Sequence, residues 1–371
     1  MLEHMRCGLL ATLAGIAISA PAWSQDEVVF ETLETRIDQW MQEADVPGLS
    51  IAVMHGQDMA WSRTFGVASL ESQAPVERDT VFEAASIGKV VLGLITLRLA
   101  DQGVLDLDEP IADTFDYRLL DHDPRYQMLT PRLLLTHRGG LPNWGGWALN
   151  PDRDPVDFIA RPGEGYGYSG EGYTALQAFI EHRTGQSFEA LFHELALEAG
   201  LRHSSFISHN GGEEHYARAV GPDGTERDII EFPRGMAAFS LISTAEDLAR
   251  FSAFYFSGGG LSERMFEQSL SSHVEVSPEH WGFSIPDGAE ISWTLAWAAQ
   301  QSGEDRIYLH AGNNGQFRAF LAYSPATDTS VAVMTNGYSG LSFISELLEP
   351  LVGNARPASV WWGYEADVAV E

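Results

Sequence analysis

Apolar positions along the chain outline its elements before any residue is considered for chemistry. Over residues 28–43 they fall at Val29, Leu33, Ile37, Trp40 and Met41, the spacing of a helix with one buried face. Pro47-Gly48 stops that helix. Residues 49–55 and 59–67 then read as two strands joined at Gly56-Gln57, an antiparallel hairpin. A short run over 80–84 leads into a long apolar helix that opens around Ser86, continues through Leu92, Ile95, Leu97 and Leu99, and stops at Gln102-Gly103.

From Leu105 to about Arg234, helical pieces alternate with loops rich in Gly, Pro and Asp, and one clear helical run covers 175–184. Ser243-Thr244-Ala245-Glu246 reads as a capping box that opens a helix through Leu248, Phe251, Phe254 and Tyr255, ending at Gly258-Gly259-Gly260. Strands return over 291–299, 306–310, 316–323 and 329–335. Phe317, Ala319, Leu321 and Tyr323 alternate as in a sheet with covered faces, and 343–351 reads as a closing helix. Strands at both ends with helices between predict an α+β fold. One antiparallel sheet joins the N-terminal hairpin to the C-terminal strands, terminal helices pack on it, and a mostly helical lobe is inserted beside it. A single domain over 25–371 is expected, with a sheet lobe at about 25–84 and 285–371 and a helical lobe at about 85–284.

Composition narrows the function. The formal net charge of -30 disfavours nucleic acid and anionic membrane surfaces, because both repel it. The N-terminus reads as a cleavable secretory signal over 1–24: Met5-Arg6 is a short basic start, 9–18 an apolar stretch, and 20–24 a small-residue region. So short an apolar run does not span a bilayer core of about 30 Å, so a secreted or periplasmic protein without stable membrane insertion is expected. Cys7, the only cysteine, lies inside that signal. The mature chain is therefore expected to carry no disulfide and no cysteine metal site.

Of the 22 basic residues, 21 are arginine, and Lys89 is the only lysine. Arginine stays protonated at any accessible pH, whereas a lysine placed in a suitable environment can give up its proton. Lys89 stands three residues after Ser86, so on a helix the two side chains share a face near its N-terminus. A serine hydroxyl becomes a useful nucleophile when an adjacent base takes its proton, and a lysine can be that base. Further along, Arg138-Gly139-Gly140-Leu141-Pro142-Asn143-Trp144-Gly145-Gly146-Trp147 is too irregular for either periodic element. Trp144 and Trp147 there are candidates to line an apolar pocket.

Other chemistries do not fit the sequence. No glycine lies five residues before Gly88 and no Ser or Thr follows Lys89, which excludes a phosphate loop. Tyr168-Ser169-Gly170 is not a nucleophile elbow, because Glu171 stands where Gly-x-Ser-x-Gly needs its last glycine, and His193-Glu194 lacks a second zinc-binding histidine. His203, His209 and His215 with Glu213-Glu214 read as a solvated loop rather than a metal site. No metal and no cofactor is expected.

Two more stretches complete the constellation: Tyr166-Gly167-Tyr168-Ser169-Gly170 and His310-Ala311-Gly312-Asn313. Together with Ser86-Ile87-Gly88-Lys89, Leu134-Leu135-Thr136-His137-Arg138-Gly139-Gly140-Leu141-Pro142 and Ser243-Thr244-Ala245-Glu246-Asp247-Leu248-Ala249, the chain resembles the serine β-lactamase and penicillin-binding protein superfamily. The resemblance is to the class C-like branch, with family VIII carboxylesterases, DD-carboxypeptidases and D-aminopeptidases, and it covers nearly the whole mature chain.

The resemblance implies that Ser86 carries an acyl group, that Lys89 and Tyr168 share general base and acid duty, and that Lys89 lowers the pKa of the Tyr168 phenol. It also implies that His310, at the place of a family lysine, is a cation or donor that orients substrate, and that the backbone N–H groups of Ser86 and Asn313 form an oxyanion hole. Gly170 and Gly312 fall at substrate-binding positions. Gly170 stands where the family often has Asn, which weakens the case for strong β-lactamase activity. The implied reaction is serine hydrolysis of a small ester, peptide or lactam, with carboxylesterase first. The alternatives are a D-specific peptidase or amidase, a weak β-lactamase, or a penicillin-binding sensor without turnover.

Overall fold

The computed structural model describes residues 23–365, apart from 151, 209–214, 277–278, 281–282 and 286–288. Most of the expected signal, and His209, Glu213 and Glu214, lie outside the described residues.

Helix α1 (Trp23–Glu43) begins five residues earlier than its apolar pattern and buries Leu33, Ile37 and Met41. The hairpin of β1 (Gly48–His55) and β2 (Asp58–Gly66) follows, then β3 (Phe82–Ala85) and α2 (Gly88–Asp101). The helical part holds α3 (Pro131–Leu135), α4 (Gly170–Thr184) and α5 (Phe188–Ala199); β4 (Leu241–Ser243), α6 (Ala245–Phe256) and α7 (Glu263–Leu270) come next. Strands then run in succession: β5 (Val274–Glu275), β6 (Glu279–His280), β7 (Phe283–Ser284), β8 (Glu290–Trp293), β9 (Ala298–Ser302), β10 (Asp305–Asn313), β11 (Arg318–Ser324) and β12 (Thr329–Thr335). Helices α8 (Ile344–Val352) and α9 (Arg356–Trp361) close the chain.

Eight strands form one sheet in the order β2-β1-β12-β11-β10-β9-β8-β5. All its pairings are antiparallel, and Leu49 of the first hairpin stands opposite Thr335 of the last strand. The strand pleat sends neighbouring side chains to opposite faces, and both faces are covered. Ile51, Val53, Phe320 and Val333 pack with α1, α8 and α9, whereas Ala52, Met54, Ala319 and Leu321 pack with α2, α6 and the helical part. That double covering is why β11 and β12 are buried at every position.

Two expectations change here. The apolar run 291–299 is two strands, because the Thr294 hydroxyl accepts from the Trp297 N–H at 3.1 Å and turns the chain between β8 and β9. The turn residues are themselves apolar and buried, so hydropathy does not reveal the break. The cap of α6 sits one residue later than the sequence motif places it: Thr244 accepts from the Asp247 N–H at 3.2 Å. Ser243 ends β4, and Glu246 instead pairs with Arg78. Among the described residues, no helix is long and apolar enough to cross a membrane.

Candidate active site

Ser86 lies ahead of α2, on the sharp turn from β3, and not inside the helix as its spacing to Lys89 predicts. Ala85 takes φ 49°, a left-handed conformation that costs about 1–2 kcal/mol for a residue with a Cβ. The turn is closed by the Ile87 N–H donating to Ala84 O at 3.1 Å. It leaves the Ser86 side chain half-buried at the surface of the core while both its neighbours are buried. Gly88 lets the 236–240 segment approach: a Cβ there would stand 2.4 Å from the Ala237 carbonyl oxygen.

Lys89 in the first turn of α2 is fully buried. Its Nζ donates to Ser86 Oγ at 3.0 Å and to Ala238 O at 2.7 Å. Among the described residues it forms no ion pair, and burial alone draws its amine down to about 7. Lys89 is therefore neutral in a large fraction of molecules near pH 7, with a lone pair beside the serine hydroxyl.

Tyr168 hydrogen-bonds the Ser86 side chain. Burial pushes its phenol well above the ordinary value, with Ser86 only partly offsetting this. The expectation that Lys89 lowers this pKa is thus reversed. The lysine nitrogen lies 4.9 Å from the centre of the tyrosine ring, and that nitrogen is itself largely neutral. Tyr168 stands as a protonated donor. His137, in the quoted Thr-His-Arg stretch, braces it: its Nδ1 accepts from the Ser169 N–H at 3.0 Å, and its ring lies 4.3 Å from that of Tyr168.

His310 on β10 is buried, and its Nδ1 lies 2.9 Å from Ala311 O. A carbonyl oxygen only accepts, so the proton is on Nδ1 and Nε2 carries the lone pair. Burial first, then the charge of Lys89, draws the imidazole down to about 3. His310 is therefore neutral, and the expected cation is absent. Its Nε2, buried and without a hydrogen-bond partner among the described residues, is an acceptor.

The end of β10 comes close to the Ser86 turn, and its register decides which way its backbone points. Asn314 N–H donates to Phe317 O on the β11 side, so alternation turns the Asn313 backbone to the other side. There the β9 ladder has already ended at Leu309. Asn313 and Ser86 border one cavity of about 210 Å³, together with Tyr168, Phe239, Trp362 and Tyr364. Gly312 brings the strands together: a Cβ there would lie 2.1 Å from Ala84 O, two residues before Ser86. Trp362 and Tyr364 are wall residues that sequence reasoning missed, because they follow the last predicted helix and belong to no quoted motif.

The glycine- and tryptophan-rich stretch forms the opposite wall. A Cβ on Gly170 would meet the Trp144 indole at 2.5 Å, so the indole occupies the space that a side chain at 170 needs. Trp144, Trp147, Ile230, Phe232 and Phe239 line an apolar cavity of about 430 Å³ that shares Trp144, Phe239 and Asn314 with the Ser86 cavity. The stretch is anchored by a buried ion pair with no cue in hydropathy or motif. Glu171, in the first turn of α4, binds both terminal nitrogens of Arg153 and accepts from the Gly145 N–H at 2.9 Å.

Of the histidines weighed as metal ligands, His203 uses its backbone N–H on Asp247, and His215 lies 3.4 Å from Asp79. Glu77, Asp79 and His215 are the one group of potential ligands gathered among the described residues, and they lie at the surface.

Comparison with known proteins agrees with this geometry. A family profile described as Beta-lactamase matches residues 33–346. The chain is 25% identical over 349 residues to penicillin-binding protein 4 of Amycolatopsis lactamdurans, covering 86% of this chain and 88% of that protein. It is also 25% identical to penicillin-binding protein 4* of Bacillus subtilis, covering 71% of this chain but only 62% of that protein. A solved β-lactamase/D-alanine carboxypeptidase from Pseudomonas syringae shares the fold. Its TM-score is 0.73 at 18% identity, covering 89% of this chain and 100% of that one.

Proposed function

The chain belongs to the beta-lactamase family of serine hydrolases, and from that premise we propose that it is a carboxylesterase of small and medium acyl esters acting through an acyl-enzyme on Ser86. The observation that carries the reading is the apolar cavity beside Ser86, walled by Trp144 and Phe239, with the indole filling the space over Gly170. An apolar acyl chain gains from leaving water there, about 25 cal/mol per Å² buried. A substrate bearing an amide side chain finds no amide at position 170 to pair with, and an unpaired buried amide is costly.

The neutral Lys89 amine takes the Ser86 proton as Oγ bonds to the ester carbonyl carbon. The carbonyl oxygen becomes an oxyanion facing the Ser86 and Asn313 N–H groups, each such donor being worth about 3 kcal/mol. Collapse breaks the bond to the alcohol oxygen, which takes a proton from the Tyr168 phenol, and that phenol is replenished from the Lys89 ammonium. Water then attacks the acyl-enzyme by the same route and releases the acid. His310 holds a neutral acceptor beside this relay and adds no charge to it.

Intact-mass spectrometry after brief exposure to p-nitrophenyl butyrate, a D-alanyl peptide and a penicillin, with turnover followed in parallel, tests the proposal. Rapid ester turnover with slow or persistent penicillin adducts is expected. Fast release of D-alanine or of hydrolysed penicillin would move the assignment to peptidase or β-lactamase.

A further inference from the structure

One buried carboxyl group stands behind the site and takes no part in those steps. Glu83 on β3, three residues before Ser86, is 2% exposed. Its Oε2 accepts from Asn314 Nδ2 at 2.6 Å, and the same nitrogen donates to Phe239 O at 3.0 Å. An amide nitrogen carries two hydrogens, so both are used. Two acceptors also fix which end of the Asn314 side chain is the nitrogen.

Each end of this junction carries one part of the reaction machinery. Glu83 leads into the Ser86 turn. Asn314 follows Asn313, the second oxyanion donor of the proposed mechanism. Phe239 follows Ala238, whose carbonyl oxygen holds the Lys89 nitrogen. The three segments are 231 and 75 residues apart in sequence from Asn314, so no local structure holds them in mutual register.

We infer that Glu83 and Asn314 form a clasp that sets the position of the Asn313 N–H relative to Ser86, which makes Glu83 a positioning residue for the oxyanion hole. The inference rests on Ser86 as nucleophile and Asn313 as donor, as proposed above, and does not depend on which acyl compound is the substrate. A displacement of about 1 Å at such a donor is enough to lower reactivity substantially. The other group facing the carboxyl is the Tyr216 phenol, which lies against it without a well-formed hydrogen bond. Burial raises the Glu83 carboxyl to about 7, and Asn314 and Tyr216 offset part of that rise. A carboxyl kept in so unfavourable a place is consistent with a geometric task that an apolar residue cannot perform.

The test uses a p-nitrophenyl alkylphosphonate, whose phosphorus forms a bond to Ser86 Oγ as p-nitrophenolate leaves. Its rate reads nucleophile and oxyanion hole even if esters prove not to be the substrate. For Glu83→Ala and Asn314→Ala we expect phosphonylation slowed about 10- to 100-fold, less than the full loss of a donor. Ester kcat should fall with KM little changed. Glu83→Gln should restore the rate to within about threefold, since its carbonyl oxygen can accept from Asn314. The double alanine variant should be no slower than the worse single one, because both break the same link. Melting temperatures identify variants that merely fail to fold, and rates are compared per folded molecule.

Wild-type reactivity in folded Glu83→Ala, or additive losses in the double variant, would overturn the clasp. Wild-type protein that forms no Ser86 phosphonate adduct would overturn the underlying nucleophile assignment instead. Normal phosphonylation without ester turnover would overturn only the esterase reading.

Discussion

Ser86, Lys89 and Tyr168 are held where nearly every surrounding group is buried and each polar atom of the lysine has a partner, whereas Trp144 and Trp147 stand 40% and 57% exposed on a stretch without regular structure. The first region is over-determined: a strained Ala85, a glycine at 88 that admits a carbonyl, and a glycine at 312 that admits another. The second is tethered to the start of α4 by hydrogen bonds at Pro142, Asn143 and Gly145, by the Arg153–Glu171 pair behind them, and by one indole resting over Gly170. Reactivity depends on groups fixed to within fractions of an ångström, so Lys89 sits in the first turn of α2, Ser86 on the tight turn that leads into it, and Tyr168 against both. Selectivity depends on shape, which a loop can change without disturbing the core.

The largest expected effect lies in the first region. Ser86→Ala should lower ester hydrolysis by on the order of 10⁴-fold or more with an unchanged melting temperature, since only a half-buried hydroxyl is removed. Lys89→Met, close in shape and unable to take a proton, should cost on the order of 10³-fold. In wild type, kcat/KM should rise with pH through about 7, because Lys89 must lose its proton to act and its amine is drawn down to about 7. A flat profile between pH 5 and 9 would remove Lys89 as the base.

In the second region, Arg153→Met leaves Glu171 buried without its cation, and should destabilise the fold by about 3–5 kcal/mol in chemical denaturation. Gly170→Asn should displace the Trp144 ring and lower activity on butyrate esters by about 10-fold. Adding Trp144→Ala to Gly170→Asn should relieve the clash, which a double-mutant cycle measures. Trp147→Ala should cost only a few-fold and shift the preferred acyl length, read from a p-nitrophenyl ester series. Were the loop substitutions to cost as much as Lys89→Met, the division between a reactive floor and a selective wall would not hold.

Much of this molecule is legible from residues alone. The first hairpin and the last strand are short apolar runs bounded by Gly, Pro and Asp, and hydropathy marks them within a residue or two. A lone lysine three residues after a serine marks Ser86 and Lys89 as candidates, because no arginine can give up its proton, and the motifs further along the chain give that pair its context. Local spacing also carries limits, because it cannot say where a helix begins relative to a strained turn, and so Ser86 reads as helical when it precedes the helix. Burial decided the rest. It draws the Lys89 amine down to about 7 and keeps Tyr168 protonated, and it removes the expected charge from His310, since desolvation depends on every element packed around a group. The walls supplied by Trp362 and Tyr364, and the link from Glu83 to Asn314, join residues hundreds of positions apart. Sequence thus determined which groups are present and their approximate local elements. Only the tertiary structure decided their protonation and their distances, because both are properties of a neighbourhood assembled from the whole chain.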